Sequence, residues 1–121
     1  MKELVIDRKK WVRGGSGGKY GDSELLNDLG RMCCLGFYCK SFYEFSDDAM
    51  LNVGMPVDLN SDLDGDWWYQ AQAINDNVTL PEKYVGDEFY GNWSHAESEE
   101  EIESRLITHF RKRNIALKFI N

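Results

Sequence analysis

Covalent chemistry in this chain would fall to three cysteines, Cys33, Cys34 and Cys39, and two histidines, His95 and His109. A thiol at the amino end of a helix has its pKa lowered by the helix dipole, and a histidine brought from later in the chain can act as its base, as in cysteine hydrolases. Cys33 and Cys34 stand where a helix is expected to begin, so Cys33, Cys34, His95 and His109 form the candidate set for a cysteine-dependent hydrolase or transferase. Their apolar neighbours Met32, Leu35 and Phe37 argue for buried, structural thiols instead, because an apolar environment raises a thiol pKa. His109, beside Phe110, reads as a boundary residue at the edge of a helix face. Zinc is disfavoured, since Cys34 and Cys39 miss the usual ligand gap and no second ligand pair follows.

Two further motifs imitate ligand sites. Asn60, Asp62, Asp64 and Gly65 occupy the first, third, fifth and sixth positions of a calcium loop, yet Ala71 stands where the bidentate Glu belongs. The segment therefore reads as a solvated acidic loop. Gly14-Gly15-Ser16-Gly17-Gly18-Lys19 lacks the first glycine and the final hydroxyl of a phosphate-binding loop, Arg13 and Tyr20 standing there instead. No metal and no cofactor is expected. Trp67 and Trp68 follow the acidic loop directly, and two adjacent helical residues cannot both point at one core. One of them is expected in an edge groove or exposed, so Asp62, Asp64, Asp66, Trp67 and Trp68 form a candidate protein-binding surface.

The element that must position all of this is a buried helix from about Cys34 to Phe45, in which Leu35, Tyr38, Cys39, Phe42 and Phe45 recur at intervals of three and four. Before it, Ser23 to Leu26 and Arg31 to Cys33 read as a hairpin around Asn27-Asp28-Leu29-Gly30. Asp7 can cap a single turn that carries Trp11 inward, Ser46 a short helix with acids at its start, and Asp66 a helix running to Ile74. Asn75-Asp76-Asn77 reads as a turn and Leu80-Pro81-Glu82-Lys83 as a first helical turn. Ser98 and Glu101 form a capping box for a last helix with Ile102, Leu106, Ile107 and Phe110 inward. Ile115 to Ile120 closes as a strand pairing with Leu4 to Ile6. The expected architecture is α+β, one domain over residues 1–121, with a small, mainly antiparallel sheet packed against three to four helices.

At 121 residues the chain is large enough to bury a core without disulfides or metals. Three cysteines, two of them adjacent, make a poor disulfide framework and fit reduced thiols. No apolar run approaches the length of a membrane span, and the acidic start is unlike a signal peptide, so a cytoplasmic protein is expected. The net charge of -7 repels phosphate backbones. The basic groups at Arg8, Lys9, Lys10 and Arg13 and at Arg111, Lys112 and Arg113 read as solvated charges, so direct nucleic-acid binding is not expected.

Cys33-Cys34-Leu35-Gly36-Phe37-Tyr38-Cys39 resembles the Cys-Cys-Leu-Gly-aliphatic-x-Cys signature of small uncharacterised bacteriophage and prophage proteins. Asn27-Asp28-Leu29-Gly30, Asn75-Asp76, Leu80-Pro81 and Ile102 to Phe110 are similar to features of that group, although Asn75-Asp76 here precedes Leu80-Pro81. The resemblance implies a phage origin and no particular activity. Joined to the acidic charge, it leads to the expectation of an accessory protein that binds a basic surface of a host protein and inhibits a defence nuclease, of anti-CRISPR or anti-restriction type. The thiol chemistry above, acting on a host molecule or nucleotide signal, is the alternative.

Overall fold

The computed structural model describes residues 1–14, 23–59, 66–78 and 98–121. They form strand β1 (Lys2–Asp7), helices α1 (Cys34–Phe42) and α2 (Asp47–Met50), a 3-10 turn (Pro56–Asp58), helices α3 (Asp66–Asp76) and α4 (Glu99–Arg111), and strand β2 (Ile115–Ile120). The glycine-rich loop at 15–19, the acidic loop at 60–65 and the segments at 80–83 and 86–91 lie outside the described residues.

The result is a small α+β domain, but its sheet is not antiparallel. Among the described residues β1 and β2 form one two-stranded parallel sheet, with Lys2 opposite Ile115 and Asp7 opposite Ile120. No hairpin joins the two strands, so no turn dictates their relative direction. The connection ends in α4, which runs back along the domain before a tight turn at Asn114 (φ 61) launches β2, the crossover that a parallel pair requires. Leu4, Ile6 and Ile115 are buried, with Leu117 and Phe119 packed against the core beside them. Alternation is thus as expected even though direction is not.

Helix α1 begins at Cys34 as its periodicity requires, and Cys34 to Cys39 are all buried. It stops three residues earlier than the apolar spacing predicts, because Glu44 takes the left-handed conformation (φ 55). Gly36 explains how closely the chain approaches α1. A Cβ built there would lie 2.0 Å from the Leu25 carbonyl oxygen, so only glycine fits. The turn at Asn27 forms, its side-chain Oδ1 accepting from the amides of Leu29 and Arg31. The predicted hairpin arms, however, also bond to other partners. Met32 exchanges hydrogen bonds with Lys10 and Val12, while Leu25 and Leu26 bond to Val53 and Asn52.

Asn75 is the internal tie. It is the second-last residue of α3 and not part of a turn; the turn falls at Asn77 (φ 56). Its side chain is fully buried and uses all four of its hydrogen-bonding positions. Oδ1 accepts from Trp11 Nε1 at 2.7 Å and from the Cys34 amide at 2.9 Å, while Nδ2 donates to the Val12 carbonyl at 3.0 Å and to Asp76 at 2.9 Å. Cys33, at the cap position of α1, makes no side-chain capping bond, so Asn75 caps α1 from another helix.

Two substitutions test this packing. Asn75→Ala leaves the Trp11 indole and the first amide of α1 without acceptors, and should cost about 3 to 5 kcal/mol in urea denaturation. Gly36→Ala would gain about 1 kcal/mol in helix propensity at an open site, but here the clash with Leu25 should reverse the sign and lower the melting temperature.

Candidate functional site

The structure places the thiols in the core. Cys33, Cys34 and Cys39 are fully buried and unbridged. Burial pushes the Cys33 thiol up to about 12, with the Asp76 charge adding to it and the helix-terminal amides opposing it only weakly. Burial likewise raises Cys34 well above the ordinary thiol range and Cys39 to about 12. Cys34 Sγ lies 3.8 Å from the Ala71 carbonyl oxygen, the acceptor its S–H faces. A thiol held protonated in this way is a packing group and a poor nucleophile.

His109 is committed elsewhere and is not the boundary residue its spacing predicts. It is buried, its ring stacks on Trp67 with centroids 4.8 Å apart, and its Nε2–H donates to the Trp67 carbonyl at 2.9 Å. Trp67 Nε1 donates in return to the His109 carbonyl at 3.2 Å. Burial lowers the His109 pKa to about 4, and Lys112 and Arg113 push it further down against the Trp67 hydrogen bond. The imidazole is therefore neutral at neutral pH. His95, the other candidate base, lies outside the described residues. Among the described residues no group of three His, Cys, Asp or Glu side chains is arranged to hold a metal ion.

The expected binding surface is corrected in its anchors. Asp66 is exposed at the first position of α3, and Asp62 and Asp64 lie outside the described residues. Trp67 and Trp68 are both buried, at 5% and 3% exposure. The premise that adjacent helical residues share no core fails because α3 has a neighbour on either side. Trp67 packs on Phe110 and His109 of α4, Trp68 on Tyr38 of α1, and the two indoles meet edge to face at 5.1 Å.

Tyr38 is the centre of this aromatic group, within 6 Å of Phe42, Tyr43, Trp67, Trp68 and Phe110. Burial, then the neighbouring Tyr43, raises its phenol to about 12 and keeps it protonated. Where the cluster reaches the surface, a cleft of about 260 Å³ opens between α1, the start of β1 and the turn after α4. Tyr38, Phe42 and Tyr43 line it together with Lys2 and Arg113. The Arg113 guanidinium lies 4.5 Å from the Trp67 ring centroid and 5.4 Å from that of Trp68, and Lys2 Nζ lies 5.5 Å from that of Phe42.

Tyr43 is 38% exposed and stacks on Phe45, and the exposed carboxylates of Glu44, Asp47 and Asp48 stand on the same short stretch. The combination sought at 62–68, aromatic rings among acids, is therefore met on the surface at 43–48. The apolar spacing places Phe45 on the buried face by carrying α1 through to it, and it says nothing of Tyr43. Phe45 stays partly buried against the core while Tyr43 is exposed, and the left-handed Glu44 between them has no signal in composition.

His109 makes a pH prediction. The unfolded imidazole takes up a proton near its ordinary value of 6.5 and the folded one only near 4, so its contribution to stability is complete above about 6.5 and is lost as pH falls toward 4. The change should be on the order of 3 kcal/mol. Urea denaturation of wild type and His109→Gln at several pH values reads it. The gap between the two proteins should shrink by that amount between pH 7 and 4, and a constant gap would mean that His109 titrates normally. Asp76, whose carboxyl burial raises, contributes with the opposite sign, and its contribution cancels in the difference.

No protein-family model, curated protein or solved structure matches this chain, so its function has to be read from the site's own geometry.

Proposed function

We propose that this chain is a small acidic phage accessory protein that works in the host cytoplasm by binding a basic surface of a host protein. Inhibition of a defence nuclease, by covering its nucleic-acid channel, is the mode that suits its charge. The observation that carries the reading is the exposed Tyr43 among Glu44, Asp47 and Asp48. An aromatic ring offers a desolvated anchor, and the carboxylates around it orient a cationic partner. The net charge of -7 acts at longer range, favouring encounter with positive surfaces and opposing encounter with nucleic acid itself. No helix among the described residues is long and apolar enough to cross a membrane, which is compatible with this location. The buried, high-pKa thiols work against the thiol-enzyme alternative.

Asp47 lies 3.2 Å from Lys40 with both side chains well exposed, so that pair is weak and Glu44 and Asp48 are the better positions to reverse. The tagged protein should retain a basic nucleic-acid-binding host protein from lysate and compete with nucleic acid for it. Glu44→Lys with Asp48→Lys should slow association about tenfold at low salt and flatten its salt dependence. Tyr43→Ala should instead raise the dissociation rate about tenfold or more. Kinetics unaltered by both variants would remove residues 43–48 from the interface, and a captured partner that still binds nucleic acid at saturation would end the channel-blocking reading.

A further inference from the structure

The cleft beside Tyr38 carries a charge opposite to that of the whole protein. Among the described residues no carboxylate lines it, while Lys2 and Arg113 both do. Arg8, Arg13, Lys40 and Arg105 are each paired with a carboxylate, whereas among the described residues Lys2 and Arg113 have no ion-pair partner. Each of the two is held against an aromatic ring instead, Arg113 over Trp67 and Trp68 and Lys2 over Phe42. A guanidinium lying on a ring is oriented by it, and its in-plane N–H donors stay available to an anion. Tyr38, Phe42 and Tyr43 form an aromatic wall, with Phe42 partly buried and Tyr43 exposed enough to take a flat group on its face, and Asn114 and Ile115 complete the lining.

We propose that this cleft binds a planar aromatic base bearing a phosphate, a nucleoside monophosphate, with the anion between Lys2 and Arg113 and the ring against Phe42 and Tyr43. The volume of about 260 Å³ is at the small end for a ligand site and admits one such unit. A long polyanion is disfavoured, because the net charge of -7 repels it while the two local cations can match only a mononucleotide's charge. The site does not depend on the protein-binding reading. Tyr43 borders both surfaces, so the variants that test it are placed at Lys2 and Arg113.

Because Arg113 rests on both indoles, a bound anion should perturb tryptophan fluorescence. AMP, GMP, CMP and UMP would each be titrated into the full chain by fluorescence and by calorimetry, with adenosine and inorganic phosphate as half-ligands and an eight-residue oligothymidylate as the polymer. At least one mononucleotide should bind saturably, and both half-ligands at least tenfold more weakly. Lys2→Gln and Arg113→Gln, checked for an unchanged melting temperature, should each weaken that mononucleotide at least tenfold. The proposal is overturned by the absence of saturable binding for all four, by inorganic phosphate binding as well as the best mononucleotide, or by the oligonucleotide binding more tightly than the monomers. Undiminished affinity in both folded variants would overturn it equally.

Discussion

The side-chain amide of Asn75 is the contact on which the arrangement of elements rests. A carboxamide has two acceptor and two donor positions, and here each faces a partner of the matching kind: Trp11 and Val12 from one segment, Cys34 from α1 and the neighbouring Asp76. The segment carrying Trp11 and Val12, the start of α1 and the end of α3 are thereby held to one another in the dry interior. The Asn75 carbonyl also accepts from the Gly14 amide, so main chain and side chain bind the same strap. Beside it, Asp76 collects the Ser23 hydroxyl and the amide of Gln72, which extends the network toward the surface. A buried polar network of this kind is costly when incomplete, and it permits one relative placement of α1 and α3.

That placement sets up the aromatic group. With α1 and α4 on either side of α3, residues about 100° apart on α3 are both covered, and two tryptophans, a neutral histidine, Tyr38 and Phe110 fill the space between the three helices. Cations gather over the rings. Arg13 lies on Trp11, Arg8 on Phe119, Arg113 on Trp67 and Trp68, and Lys2 on Phe42. At Lys2 and Arg113 the rings hold positive charge without neutralising it. Arg8 and Arg13 are additionally tied to Glu103 and Glu99 on α4, so those two fasten the amino-terminal segment to the last helix.

Much of the architecture was legible in the residues, and the illegible parts have physical causes. The start of α1, the Ser46 and Ser98 caps, the short helix after Ser46 and the span of β2 follow from periodicity and capping chemistry, which are local. Strand direction is not local. Val5 and Lys118 could alternate outward equally well in either sense, and only the path of the intervening chain decides between them. The two tryptophans were misjudged for a related reason, since the number of neighbours around a helix is a tertiary property. Asn75 was read as a turn residue because asparagine is at home in turns; its role needs three distant partners that no short window contains. Of the candidate surface at 62–68, the exposure of Asp66 was legible and the burial of both tryptophans was not. Lys2 and Arg113 meet at one cleft only because β1 and the turn after α4 are brought together by the sheet.

The parallel pairing of β1 with β2 also governs how the chain can fold. Each rung of that ladder joins residues more than a hundred positions apart, Lys2 with Ile115 and Asp7 with Ile120, so the sheet forms only after the largest loop in the molecule has closed. Closing such a loop costs roughly 4 kcal/mol in chain entropy before any strand hydrogen bond is gained. The contacts of α1 with α3 span far shorter loops and can form first. During synthesis β1 is made before α4 and β2 and must wait, unpaired and with Leu4 and Ile6 uncovered, until they have been added. Its own Lys2, Glu3 and Asp7 place charge along the waiting strand, the device by which sequences keep a temporarily open edge from joining another chain.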